Sequence, residues 1–138
     1  MKSTYDPRHR VREEAFKLIF KCLFNSNVLN KENVQDNGSV NEFNKINLIN
    51  GVNRYREIVD STILSHSSRN TTNINHINKV DLAILELAVY ELLYLDTPKI
   101  VVIDEAIEIA KKYGSDSSSS YINGVLANIV KENNEKTK

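Results

Sequence analysis

What the sequence has little of narrows the field first. It holds one cysteine, Cys22, so an intrachain disulfide is excluded. Flanked by Ile19, Phe20, Leu23 and Phe24, that thiol reads as a small buried hydrophobe. Glycine occurs only four times, and none of the four sits in a loop of the kind that cradles phosphates. The 18 basic and 18 acidic side chains cancel, so no global field draws in polyanions, and any nucleic-acid binding must come from a local patch. No apolar run approaches the roughly twenty residues that cross a bilayer. The stretch from Met1 to Pro7 leads into arginines, not into a hydrophobic signal segment. A soluble, cytoplasmic protein is the expectation.

Catalytic constellations are scarce as well. His9, His66 and His76 lie far apart, without the cysteine or carboxylate spacing of a zinc site. No nucleophile stands beside a base, and neither a cofactor nor an enzymatic activity is expected. Asp104, Glu105 and Glu108 suggest an acid and base pair at first sight. Their spacing instead places them on a solvated helix face beside Lys111 and Lys112, with Glu108 and Lys112 as an i,i+4 ion pair. The serines from Ser117 to Ser120 are read as capping residues ahead of a helix.

What is present is helical. With 138 residues, 41% hydrophobic and 26% charged, the chain fits one compact domain over residues 1–138. Val11, Ala15, Leu18, Ile19 and Cys22 mark a helix from about Arg8 to Asn25, with Asp6 as its cap and Pro7 in its first turn. Asn25 to Ser39 reads as a loop. Phe43, Ile46, Ile49, Val52, Tyr55 and Val59 form the stripe of one long helix or two abutting ones between Val40 and His66. Gly51 within it costs about 1 kcal/mol relative to alanine and marks a close contact. Ile74 and Ile77 pin a short turn.

Lys79 to Leu95 is apolar on every side, the pattern of a helix surrounded by neighbours. Ile100 to Ile103 looks locally like a strand, but Ala106, Ile107, Ala110 and Tyr113 continue a helical period to Gly114. A last helix carries Tyr121, Ile122, Val125, Leu126 and Ile129 on one face. The fold expected is all-α, about seven helices in two small antiparallel bundles, at about residues 8–66 and 74–133.

The one unusual cluster is Arg8-His9-Arg10-Val11-Arg12, with Lys2 nearby. At 100° per residue Arg8 and Arg12 align, whereas Arg10 points to the other side, so the segment is frayed or its arginines serve two surfaces. Positive charge at a helix N-terminus opposes the macrodipole by a few tenths of a kcal/mol. A phosphate partner supplies a reason for it, through bidentate guanidinium contacts and the exposed N–H groups of the first turn. An ordinary solvated terminus is the alternative.

Val80-Asp81-Leu82-Ala83-Ile84-Leu85, Ala88-Val89-Tyr90-Glu91-Leu92, Pro98, Ile103 to Lys111, Tyr113-Gly114 and Tyr121-Ile122-Asn123-Gly124-Val125-Leu126 resemble the NusB family in order and spacing. The arginine-rich opening resembles that family's first helix. The resemblance implies two helical bundles and a transcription antitermination factor that binds the boxA element of ribosomal RNA transcripts. It implies as partners ribosomal protein NusE and the RNA polymerase elongation complex with other Nus factors, with no membrane. Lys2, Arg8, His9, Arg10 and Arg12 would face RNA phosphates, and Ser117, Ser120 and Tyr121 would offer backbone donors and a stacking ring.

Phe20, Asp81 and Glu86 would face the protein partner, core packing being the alternative for Phe20. Gly124 is expected to permit close helix approach and Asn123 to make a buried hydrogen bond. The chain departs from the family at His9, Phe20, Glu86 and Ser117. Exposed partner surface also fits a homodimer that masks the RNA site. The RNA site is expected as one patch joining Arg8–Arg12 to the loop before Tyr121. Two other functions fit the same residues: a helical adaptor that binds no RNA, and an RNA-targeting module working with a ribosomal RNA methyltransferase.

Overall fold

The computed structural model describes residues 7–25, 42–67 and 72–136. Lys2, the Asp6 cap and most of the Asn25–Ser39 loop lie outside the described residues. Among these are six α-helices, one 3-10 turn and no strand. The helices are α1 (Pro7–Phe24), α2 (Lys45–Arg54), α3 (Arg56–Ser65), α4 (Lys79–Tyr94), α5 (Lys99–Tyr113) and α6 (Ser118–Lys136), with the 3-10 turn at Ile74–His76.

The long stripe from Val40 resolves into two abutting helices. Asn44 caps α2 by accepting from the Asn47 N–H at 2.8 Å, and the chain bends at Tyr55 before α3 begins. The short turn before α4 buries Ile77 as expected. Asn78 then caps α4 by accepting from the N–H groups of Val80 and Asp81. Ile100–Ile103 is helical, because Pro98 supplies the turn from which α5 continues unbroken to Tyr113. The final helix begins at Ser118, ahead of the expected start at Tyr121. Ser118 is buried, and its Oγ accepts the Ser115 N–H at 2.9 Å.

Every residue from Asp81 to Val89 is buried, and α4 packs against all five other helices. The helices before and after it thus share one hydrophobic cluster. α1 runs antiparallel to α4: Arg12 meets Glu91 near one end, and Lys79 lies over the Phe24 ring near the other. No helix among the described residues is long and apolar enough to cross a membrane.

Two glycines serve different needs. A Cβ on Gly51 would fall 2.1 Å from the Tyr90 ring, so the close contact read from the sequence is the seat of that aromatic on α2. Gly124 has nothing within 4 Å of its would-be Cβ, and Asn123 beside it is exposed. The expected close approach and buried hydrogen bond at this pair are therefore corrected: both residues lie on the outer face of α6. Cys22 is likewise only half-buried.

Gly51→Ala is expected to lower stability by about 1–3 kcal/mol through overpacking against Tyr90. Gly124→Ala is expected to raise it by about 0.5–1 kcal/mol through helix propensity. Urea denaturation of both variants checks the order, and the reverse order would contradict this packing.

Candidate nucleic-acid and partner interface

The arginine opening divides between interior and surface. Arg12 is only 3% exposed. It donates from Nε to Glu91 Oε1 at 2.9 Å and from Nη2 to Glu91 Oε2 at 2.6 Å, with Glu105 Oε1 3.8 Å from Nη1. A guanidinium so enclosed is not available to RNA phosphates, which corrects the expectation for Arg12. Glu105 is corrected with it: it is buried, not on a solvated face. His9 is half-buried, its Nδ1 2.5 Å from Glu105 Oε2 and its Nε2 3.8 Å from Glu13 Oε2.

Arg8 and Arg12 share a face, with their guanidinium carbons 5.1 and 4.8 Å from the Phe43 ring centroid. Arg8 and Arg10 are exposed. The segment is therefore helical from Pro7, and its arginines serve the interior and the surface separately.

A second tie holds α1 to α5. Glu13 Oε1 accepts from Lys112 Nζ at 2.7 Å and from Tyr113 Oη at 2.5 Å. Lys112 thus reaches across to Glu13, where an i,i+4 pair with Glu108 was expected. The hydrogen bond from Lys112, then that from Tyr113, holds the Glu13 carboxyl below its ordinary value. This tie therefore contributes stability above the carboxylate range and loses it as pH falls through that lowered value.

Tyr121 lies in the first turn of α6. Its hydroxyl lies 3.0 Å from Ser67 Oγ, just beyond the end of α3, whereas Tyr55, just before α3, stacks on Tyr94 at the C-terminal end of α4. Ser117 and Ser120 are exposed at the start of α6, and Tyr113, which precedes this loop, packs on Phe16 in the middle of α1. The end of α5 just before the serine loop is thus tied to Glu13, within one turn of Arg10 on α1, while Tyr121 itself reaches Ser67.

The three partner-facing residues also separate. Phe20 is half-buried, 5.0 Å centroid to centroid from the exposed ring of Phe24. Asp81 is 7% exposed in the first turn of α4, at the end of α4 where Lys79 covers Phe24. These two lie at the same end of the α1–α4 pair, and Phe24 was missed by sequence reasoning.

Glu86 is fully enclosed and pairs with Arg56 Nη1 at 2.6 Å. A partner cannot reach it, which corrects its assignment to the protein interface. Burial, reinforced by a hydrogen bond with the Asp60 carboxyl, pushes Glu86 up to about 8 against the opposing Arg56 charge. Asp60 Oδ1 and Glu86 Oε1 each otherwise lack a partner among the described residues.

Residues 9–131 match the model of the NusB family. The transcription antitermination protein NusB of Clostridium novyi is 37% identical over 90% of this chain and 98% of its own length. That of Enterococcus faecalis is 34% identical over 96% of this chain and 94% of its own. The chain belongs to the NusB family.

The solved structure of T. maritima NusB superposes with a TM-score of 0.76 at 33% identity, covering 96% of this chain and 94% of that one. A crystal structure of antitermination factors NusB and NusE in complex with dsRNA has a TM-score of 0.70 at 24% identity, covering 92% and 99% of the two chains. It supports the NusB fold.

Two measurements test the interior assignments. Arg12→Ala is expected to cost about 3–5 kcal/mol, because it leaves Glu91 charged and unpaired in the interior. Arg10→Ala should stay within about 0.5 kcal/mol of the parent, and equal losses in chemical denaturation would contradict the assignment. From the ordinary carboxylate range up to about pH 8, folded Glu86 holds a proton that the unfolded chain releases, so stability falls as pH rises. Thermal melts between about pH 5 and 8.5 should show a shallower decline for Glu86→Gln than for wild type. Parallel declines would refute the raised Glu86.

Proposed function

We propose that this chain is a transcription antitermination factor: a non-catalytic helical protein that binds boxA RNA together with NusE. In this reading it acts in the cytoplasm on elongating RNA polymerase with other Nus factors. The observation that carries the reading is membership of a family whose relatives, up to 38% identical over 90% of the chain, are antitermination proteins. The geometry is in keeping with it. Arg8 and Arg10 are exposed in the first turn of α1, where N–H groups lacking intrahelical acceptors favour an anion. Lys2 precedes them in sequence, and His9 retains 26% side-chain exposure.

RNA is engaged from the opening of α1 to Ser117, Ser120 and Tyr121 at the start of α6. Phosphates meet the arginines, and an unpaired base stacks on the tyrosine. NusE docks at the other end of α1, on Phe20 and the neighbouring Phe24, beside the first turn of α4 with Asp81. The complex solved for relatives of this fold contains dsRNA. Here the arginine and tyrosine chemistry favours a single strand.

Titration of boxA RNA at several salt concentrations tests the reading. With three or four phosphates neutralised, log K should fall against log[salt] with a slope of about −2 to −3. The Arg8→Ala/Arg10→Ala double variant should bind more weakly, with a slope about 1.4 shallower, and NusE should strengthen wild-type binding. Equal binding by both proteins would remove these arginines from the RNA site. A NusE complex indifferent to RNA would leave a protein adaptor in place of an RNA-binding factor.

A further inference from the structure

A cleft of about 950 Å³ opens between α2, the start of α3 and the last turn of α4. Three tyrosines line it. Tyr55 and Tyr94 stack with centroids 4.0 Å apart and planes 14° apart. Tyr90 joins at 6.4 Å and 18° from Tyr55, and at 5.7 Å and 28° from Tyr94. All three rings share nearly one orientation, so a further flat ring extends the pile without rearrangement.

The stack is held rigidly, because Gly51 admits the Tyr90 ring against the α2 backbone. It is also accessible, since Tyr94 stays 39% exposed. Core packing accounts for Tyr90 but not for an exposed ring on a prearranged stack.

The rim carries charge of both signs. Arg8 and Arg54 line the cleft and are exposed, and the Arg54 charge is close enough to Tyr90 to oppose the rise that burial imposes on its hydroxyl. Phe43 lies under the Arg8 guanidinium, keeping that side chain at the rim. Glu42 and Asp96 also line the cleft. Two cations, two carboxylates and a tyrosine stack match a nucleotide better than a purely apolar ligand. The arginines take the phosphate, the rings take the base, and the carboxylates accept from an exocyclic amino group.

We propose that this cleft holds one unpaired nucleotide of the bound RNA, its base on the Tyr55–Tyr94 stack and its phosphate between Arg8 and Arg54, with amino-bearing bases preferred over uracil. The inference rests on the RNA-binding reading above. Arg8 connects the two, since it belongs both to the opening of α1 and to the cleft.

The test is RNA titration of the full chain with NusE, using RNAs carrying single abasic sites in turn. Tyr94→Ala should weaken intact RNA about 5- to 50-fold, while Tyr94→Phe, which keeps the ring, stays within about twofold. At one abasic position wild type and Tyr94→Ala should bind alike, and uracil placed there should weaken wild type. Arg54→Ala, a change at an exposed position, should weaken intact RNA about 3- to 10-fold and decides the matter if Tyr94→Ala fails to fold.

Wild-type affinity in both Tyr94→Ala and Arg54→Ala, alongside a loss in Arg8→Ala/Arg10→Ala, would overturn the cleft while leaving the RNA reading intact. No loss in any variant would overturn both. Saturable binding of free cytidine monophosphate that leaves RNA affinity untouched would assign the cleft to a mononucleotide and also overturn the proposal.

Discussion

Arg12 and Glu91 meet inside the protein through two hydrogen bonds of 2.9 and 2.6 Å, with side chains 3% and 1% exposed. Burying two charges is costly, and the paired geometry with Glu105 alongside is what makes it tolerable. Its consequence is positional. The pair fixes the rotation of α1 about its own axis, so Arg8 comes to the rim over Phe43 and Arg10 comes to the surface. It also fixes the antiparallel alignment of α1 with α4, which puts Phe20 and Phe24 at the end opposite the arginines. One interior contact thereby keeps the exposed arginines apart from the aromatic end with Phe20 and Phe24.

The fold was legible because periodicity survives without knowledge of partners. The run from Lys79 to Leu95 has no polar face, and a helix of that kind is possible only at the centre. The contact forecast at Gly51 follows from the cost of glycine in a helix, and the Tyr90 ring explains why that cost is accepted. The angular disagreement among Arg8, Arg10 and Arg12 left two readings, a frayed segment or two surfaces, and α1 is helical from Pro7.

Sequence spacing could not tell which surface was interior, because the partner of Arg12 lies 79 residues away. Glu105 was misread for the same reason: its partners, His9 and Arg12, are on another helix. A sharper signal was available in α4, where Glu86 and Glu91 interrupt an otherwise apolar helix. Carboxylates are almost never fully buried unless paired, so each announced a cation elsewhere. Arg56 and Arg12 are those cations. Gly124 and Asn123 erred in the opposite direction: a motif pointed to packing where the structure shows an open face.

The exposed arginines of α1 lie within one turn of Glu13, which ties α1 to the end of α5 just before the serine loop. The tyrosine cleft opens beside Arg8. On a protein with zero formal charge, such local charge leaves little general attraction for polyanions.

Amide hydrogen exchange of the full chain, alone and with boxA RNA and NusE, tests the central claim most directly. The account predicts RNA-dependent protection in the first turn of α1 and at the start of α6, with α4 already slow to exchange in the free protein. A footprint absent from both ends, or confined to the outer face of α3 around Ile58, would contradict it.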